Sequence, residues 1–174
     1  MIVLKFVLYI MIFLTSSLLG FSIGSKYSKR VKNLMALQQS IRLLQAEVIV
    51  FANPIPFALQ NISKRVSPDI QEVYSTISRS IEKNQSGDLY NCFLQSTDYL
   101  KNRCMLKEQD IDVFLALGKV IGKTDRMDQE LQFKYALNEI DLLIIEAKEE
   151  KNKNEKMYRS LGMLMGLGMI IILI

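Results

Sequence analysis

The stretch FVLYIMIFLTSSLLGFSIG, residues 6–24, contains no charged side chain. As a helix it rises about 28 Å, which is close to the thickness of a membrane's hydrocarbon core. A second apolar stretch, LGMLMGLGMIIILI at residues 161–174, is shorter and rises about 21 Å as a helix. We predict a transmembrane helix within residues 1–24, a short second one within residues 160–174, and a polar domain at residues 25–159 between them.

Each apolar stretch allows a second interpretation. The first could be a cleaved signal peptide, but such a peptide needs a small-x-small cleavage site after its apolar run. Ser22 and Gly24 imitate that site poorly, and Lys26 follows at once, so a retained anchor is favoured. The second stretch can span only with help: from local thinning of the bilayer, from Lys156 and Arg159 extending to the interface, or from a partner helix.

Basic residues collect on the inner side of both stretches. Lys5 alone precedes the first stretch, whereas several Lys and Arg residues follow it and precede the second (Lys26, Lys29, Arg30 and Lys32; Lys148, Lys151, Lys153, Lys156 and Arg159). Lys and Arg in short flanks are retained on the cytoplasmic side of a membrane. The alternative role for such clusters, binding anionic headgroups, favours the same leaflet. The polar domain is therefore predicted to lie in the cytoplasm.

Composition excludes several classes of protein. The formal net charge is only +4, and the basic excess lies beside the apolar stretches, not in a motif with interleaved aromatic residues, so a nucleic-acid partner is not expected. The low Gly and Pro content argues against long disorder, and the middle is long enough for one core. Cys92 and Cys104 are too few for a disulfide framework and fit reduced packing residues, with a bridge between them as the alternative.

The middle has helical periodicity throughout. A helix is predicted from about residue 31 to 51, with a buried stripe at alternating steps of three and four, and it stops at Asn53-Pro54. Ser67-Pro68-Asp69 predicts the N-cap and first turn of another helix, which ends at the turn-prone residues 84–87. The predicted buried residues of these helices are Leu34, Leu37, Ile41, Leu44, Val48 and Phe51, then Leu59 and Ile62 in a short segment, then Ile70, Val73, Tyr74, Ile77 and Ile81.

Three further helices complete the prediction. Asp88 can cap the first, a second runs over residues 107–120, and the third runs from about residue 125 to 156. The last carries two apolar rows, Met127-Leu131-Tyr135-Leu142-Ile145 and Phe133-Leu137-Ile140-Ile144, so we expect the bundle to enclose it. From Lys148 its charged residues predict a solvated stalk that continues into the second apolar stretch. The predicted fold is all-α: a cytoplasmic bundle of about six helices flanked by two transmembrane helices.

Residues that carry catalysis are scarce. The chain has no histidine, so neither a Ser-His or Cys-His pair nor an HExxH metal site can form. Phosphate-binding motifs of the GxxxxGK[ST] and GxGxxG types are absent from the sequence. The carboxylate pairs Asp110/Asp112 and Glu149/Glu150 resemble solvated helix surfaces. We expect no enzymatic activity, no cofactor or metal, and no small-molecule substrate.

Small residues recur at four-residue spacing in both apolar stretches. Ser16, Gly20 and Gly24 lie in the first, and Gly162 and Gly166 lie in the second. This spacing lets helix backbones approach closely in membranes, although glycine is common in membrane helices for other reasons. Three interpretations stay open: the two helices of one chain pair, they pair with other subunits, or the small residues have no packing role.

The segment LGKVIGKTD, residues 117–125, is the most distinctive polar element. Gly122 fits a left-handed position after one helix, and Thr124 or Asp125 fits the N-cap of the next. That structural role can account for the segment. The alternative is that Lys123, Asp125 and Arg126 dock a partner.

Taken together, these features resemble the stage III sporulation protein AB family of endospore-forming Firmicutes over essentially the whole chain. Four stretches carry the resemblance: the anchor with its basic flank, LLQAEV at residues 43–48 with the turn PIP at 54–56, the 117–125 segment with Gln129, and YRSLG at residues 158–162 before the apolar tail. The chain departs from the family in one respect, because Pro54 and Pro56 both stand where one proline is expected.

The resemblance implies a function that the residues alone do not. The family's cytoplasmic domain looks like the helical domain of the type II secretion F family, an inner-membrane platform. It implies a place in the mother cell's membrane around the forespore, with stage III sporulation protein AA, a secretion-type ATPase, and other stage III sporulation membrane proteins as partners. The expected function is a non-enzymatic platform or adaptor of that channel complex. The alternative is a membrane-tethered regulatory module that sequesters a cytosolic partner.

Overall fold

The computed structural model describes residues 2–83, 88–123 and 125–173, with side chains from residue 7 onward. The predicted turn at residues 84–87, an N-cap at Thr124 and the side chain of Lys5 lie outside the described residues.

Helices make up nearly all of this described part, and it contains no strand, which confirms the all-α prediction. A short π-helix, Ala46–Val50, continues the first α-helix. The α-helices are α1 (Ile2–Gln45), α2 (Ile55–Ser63), α3 (Pro68–Lys83), α4 (Leu89–Leu94), α5 (Thr97–Asn102), α6 (Glu108–Val120) and α7 (Arg126–Leu173). The chain forms two compact units: Met1–Val31 with Glu146–Ile174, here called the terminal helix pair, and Lys32–Ile145, here called the bundle.

The bundle has an apolar core with aromatic residues at its centre. The ring of Phe114 packs edge-on against Tyr74, with centroids 6.0 Å apart, and lies 4.9 Å from Phe93. The buried Tyr74 hydroxyl donates a hydrogen bond to Ser40 Oγ at 3.0 Å, and burial raises its pKa. The predicted stripe supplies much of the remaining core: Leu34, Leu37, Ile41, Leu44, Leu59, Ile62, Ile70, Val73 and Ile77 are fully or almost fully buried.

The predicted burial of the last two residues of the first stripe is wrong. Val48 is only half-buried and Phe51 is 62% exposed, whereas Ile49 is 6% exposed and takes the core position. The cause is the π-helical turn, which adds one residue to the turn. Because an α-helix rotates about 100° per residue, that insertion moves the following side chains off the original face.

Capping residues were predicted with mixed success. The Asp88 carboxylate accepts a hydrogen bond from the Tyr90 amide at 3.4 Å, as expected of an N-cap. Helix α3 begins at Pro68 as predicted, and the carbonyl of Ser67 accepts from the Gln71 amide at 2.7 Å. However, Ser67 Oγ is buried with no hydrogen-bond partner within the described chain, so the predicted side-chain cap is wrong.

The structure differs from two further predictions, both about helix α7. The row Phe133, Leu137, Ile140 and Ile144 is buried, but every residue of the other row is exposed: Met127, Leu131, Tyr135, Leu142 and Ile145. The bundle covers only one face of α7 and does not enclose it. Beyond Lys148 the helix is not a solvated stalk either, because Tyr158 stacks on Tyr27 of α1 with centroids 5.9 Å apart.

In the terminal helix pair many large apolar side chains are exposed, whereas in the bundle most of them are buried. Leu18, Leu19, Leu164 and Ile172 are between 60% and 86% exposed. The buried positions belong mainly to glycine. By length and composition, α1 and α7 each contain a segment that could cross a membrane.

Candidate functional site

Backbone contact joins the two helices of the terminal pair. A Cβ atom added to Gly20 would lie 2.6 Å from the Tyr158 carbonyl oxygen and 2.8 Å from Gly162 Cα. At Gly24 it would lie 3.1 Å from the Glu155 carbonyl oxygen. Real Cβ atoms do not approach backbone atoms as closely as 2.8 Å, so any larger residue at Gly20 or Gly162 must push the helices apart.

The contact continues one turn further along the pair. Ser16 Oγ donates a hydrogen bond to the Gly162 carbonyl oxygen at 2.8 Å. A Cβ atom at Gly166 would meet Phe13 Cδ2 at 3.1 Å and Ser16 Cβ at 3.3 Å. The structure therefore brings all five small residues singled out in the sequence to one contact within a single chain.

Polar residues fasten the same two helices at the end nearer the chain's middle. The Arg30 guanidinium lies 2.7 Å from Glu150 Oε2 and 3.5 Å from Glu146 Oε1, and the Arg30 side chain is only 4% exposed. The stacked rings of Tyr27 and Tyr158 lie in the same unit. We call these five residues the polar clasp.

Sequence reasoning treated Arg30 as one of several flanking cations and missed the clasp. A signal was present, because Arg30, Leu34, Leu37 and Ile41 follow one another at steps of four, three and four. Arg30 therefore continues the buried stripe, and an arginine at such a position requires a partner.

A second cation lies within the terminal pair. The Arg159 guanidinium carbon is 4.3 Å from the centre of the Phe21 ring, and its Nη2 is 2.5 Å from Glu155 Oε1. An aromatic face and a carboxylate both stabilise a guanidinium that is partly withdrawn from water. Extension of Arg159 to the membrane interface was one of three ways in which the second stretch could span, and in the structure Arg159 contacts Phe21 and Glu155.

In the predicted docking loop, two of the three charged residues make contacts within the chain. Lys123 Nζ lies 2.6 Å from Asp88 Oδ1, and this hydrogen bond lowers the pKa of the Asp88 carboxyl below its usual value. Asp125 Oδ1 accepts from the Asp128 amide at 2.8 Å, so Asp125 is the N-cap of α7. Gly122 has φ +80°, the left-handed conformation expected there. Arg126 is exposed.

A buried carboxylate organises the turn after α1. Glu47 is 5% exposed, and its Oε2 accepts from Asn53 Nδ2 at 2.7 Å and from Asn61 Nδ2 at 3.2 Å. Arg65 lies 3.9 Å from its other oxygen. These contacts fix the π-helical turn and the strained backbone at Ala52, whose φ is 51°. Sequence reasoning quoted Glu47 in a motif but assigned it no role.

In the part of the chain that the structure describes, no three His, Cys, Asp or Glu residues come together as metal ligands. Cys92 and Cys104 are buried free thiols. The contacts described above join helices and shape loops.

Comparison with known proteins agrees with the fold. The family model described as stage III sporulation protein AB matches residues 5–174. The stage III sporulation protein AB of Bacillus subtilis (strain 168) is 29% identical over 154 residues, which cover 88% of this chain and 90% of that protein. A solved structure of a stage III sporulation protein AB has a TM-score of 0.66 at 22% identity, and the match covers 72% of this chain and 98% of that one. The chain belongs to the stage III sporulation protein AB family.

Proposed function

We propose that this protein is a non-enzymatic platform or adaptor subunit of a membrane complex in endospore formation. Its terminal helix pair would sit in the mother cell's membrane around the forespore, with the bundle in the cytoplasm. Its partners would be the secretion-type ATPase, stage III sporulation protein AA, and other stage III sporulation membrane proteins. The observation that carries the proposal is the contrast between the two units: the terminal helix pair exposes leucine and isoleucine, and the bundle buries most of its own.

The terminal helix pair has the features of a membrane anchor. Its helices associate through glycine and a serine hydroxyl, which supply packing and hydrogen bonds without any hydrophobic driving force between the helices. Its exposed leucine and isoleucine side chains would face lipid. Nearby lysines would contact the headgroups of an anionic cytoplasmic leaflet.

Docking of the ATPase is the finer part of the proposal, and we place it on Lys123, Asp125 and Arg126. Because Lys123 already pairs with Asp88, reversing its charge alone would also disturb the fold locally. The test variant is Arg126→Glu with Lys123→Gln, which removes both cations, places no negative charge beside Asp88 and keeps the Asp88 carboxylate as the N-cap of α4. The matched control makes the same change of charge at two exposed cations elsewhere, Lys64→Gln with Arg103→Glu.

The measurement is copurification of the tagged full chain from sporulating cells. We expect the native chain and the control to bring down the ATPase and the stage III membrane proteins, and the loop variant to lose the ATPase while keeping the membrane proteins. Equal recovery of the ATPase by the loop variant would place docking elsewhere. Recovery of one soluble protein without membrane subunits would favour the regulatory tether instead.

Deletion of the chain tests the proposal at the level of the cell. If the chain is a subunit of this complex, we expect its deletion to block forespore gene expression after engulfment. Normal spores from that strain would contradict the assignment.

A further inference from the structure

The outward face of α7 in the bundle is apolar and uncovered. Met127 is 82% exposed, Leu131 46%, Tyr135 59% and Leu142 62%. Four large apolar side chains along one helix face form a patch that an isolated soluble surface rarely carries without a partner.

This face borders a groove between α6 and α7. The groove has a volume of about 320 Å3. On the α6 side its apolar walls are Val113, Ala116 and Leu117, and on the α7 side Tyr135, Ala136 and Leu142 line it together with Gln132, Asn138 and Glu139. An apolar trough between two helices accepts the apolar face of a third helix. We call it the α6–α7 groove.

The charged residue that lines this groove is Glu139, and two more carboxylates, Asp112 and Asp128, lie near it by helix spacing. Asp128, Gln132, Tyr135 and Glu139 follow one another at steps of four, three and four, so they share one face of α7. Asp112 precedes Val113 on α6, and Asp112, Asp128 and Glu139 are all exposed. The α6 cation Lys119 is directed to another contact, 4.7 Å from the centre of the Tyr90 ring.

A second copy of the chain fits this face poorly. Packing the same face of two chains together would bring Asp128 and Glu139 of one copy against the acidic side chains of the other. Like charges at an interface disfavour association. A helix with an apolar face and basic flanks would instead fill the trough and pair with the acidic residues.

We infer that the α6–α7 groove docks a basic amphipathic helix of a partner protein. A helix that follows α7 from Met127 to Leu142 needs about 16 to 18 residues, or roughly 25 Å. The large apolar side chains of this partner helix would pack between Leu142, Tyr135 and Val113. Its lysine or arginine residues would lie beside Asp112, Asp128 and Glu139. The inference rests on the proposed function only in requiring that the bundle meets a partner.

The test uses the full chain in phosphatidylcholine nanodiscs and a fluorescent peptide of about 18 residues, with leucine on one helix face and lysine on the other. The matched probe has glutamate in place of lysine, and empty nanodiscs give the background. We expect the lysine peptide to bind at least about tenfold more tightly than the glutamate peptide, since several partly exposed charge pairs together supply that difference. Fluorescence anisotropy measures both affinities.

Two variants locate the binding site. Asp128→Lys with Glu139→Lys should weaken the lysine peptide by at least about tenfold, and Leu142→Gln should weaken it without reversing the preference for lysine. Glu82→Lys, an exposed acidic residue of α3, is the matched control and should change nothing. All these side chains are exposed, and circular dichroism verifies that each variant keeps its helices.

Equal binding of the two peptides, or an affinity unchanged by both groove variants, would overturn the inference. A chain that instead forms dimers through Met127→Cys crosslinks would assign the groove to a second copy and overturn it as well. Because this assay contains no ATPase, its failure is separate from a failure of the copurification experiment.

Discussion

The terminal helix pair and the bundle share two helices, α1 and α7, but they use leucine in opposite ways. In the bundle Leu34, Leu37 and Leu44 are fully buried, whereas in the terminal pair Leu18 and Leu19 are about two-thirds exposed. The pair is held by glycine contacts and the bundle by apolar packing. The proposed function accounts for the difference: water drives apolar side chains inward, and lipid would leave them on the surface while small residues join the helices.

Two leucine substitutions test this contrast with the largest expected effect. Leu37→Ala removes a fully buried side chain and should lower the free energy of unfolding by about 2–5 kcal/mol, from lost burial and the cavity that remains. Leu18→Ala shortens a side chain that is 66% exposed and should change the free energy of unfolding by less than about 0.5 kcal/mol. Denaturant unfolding in mild detergent, followed by circular dichroism, measures both. Similar losses would mean that Leu18 is also part of a core.

Removing the arginine of the polar clasp should come next in size. Arg30→Met removes the Arg30 guanidinium from beside Glu150 and Glu146 in a partly buried place. Because these carboxylates keep 28% and 44% of their side-chain exposure, we expect a loss of about 2–3 kcal/mol, at or below the range for fully buried pairs.

The double variant Arg30→Met with Glu150→Leu is the control for the single variant Arg30→Met. Replacing both members of the shorter ion pair by apolar groups should recover much of the stability, because only Glu146 then keeps its charge and its side chain is 44% exposed to water. If the double variant is as unstable as the single one, the clasp acts through packing and its charges are incidental.

Enlarging a glycine should separate the terminal pair while leaving the bundle unchanged. Gly20→Leu forces the helix backbones apart, at a cost of about 1–3 kcal/mol. Gly168→Leu is the matched control, since nothing lies within 4 Å of a Cβ atom there. Spin labels at Val7 and Ile171 report the helix separation by electron resonance. An unchanged distance in Gly20→Leu would contradict the contact.

The smallest expected effect lies in the bundle core. Tyr74→Phe removes the hydroxyl that donates to Ser40 Oγ. Ser40 Oγ still donates to the Leu37 carbonyl at 2.6 Å, so we expect a loss of only about 1 kcal/mol. The same unfolding measurement applies, and a loss as large as that of Leu37→Ala would show that the hydroxyl organises a wider network.

Local patterns predicted much of the bundle. Helix α6 was expected over residues 107–120 and is Glu108–Val120, with Ile111, Phe114, Leu115, Leu117 and Gly118 buried. Gly122 also has its predicted left-handed backbone conformation, and the Asp88 side chain has its predicted capping role. These features depend on a few neighbouring residues, which is why sequence spacing identifies them.

Tertiary choices were not predictable in the same way. Periodicity identified both apolar rows of α7 but could not say which one the bundle covers. The π-helical turn depends on Glu47 meeting Asn53 and Asn61, residues that come together only after folding. The partner of Arg30 lies 120 residues away along the chain. The position of Arg30 on the buried stripe indicated that it requires an acidic partner, but the sequence did not show which residue that is.

The central claim is that the two terminal helices of one chain pack together in the membrane through their small residues. A Cβ atom at Gly166 would lie 3.3 Å from Ser16 Cβ, close to the separation of about 3.5–4.5 Å in disulfides. The most direct test is oxidation of Ser16→Cys/Gly166→Cys in membranes, with Ser16→Cys/Gly168→Cys as control. The account predicts a disulfide within one chain, seen by mass spectrometry in the monomer, and little in the control. Disulfides only between chains, or none at all, would contradict it.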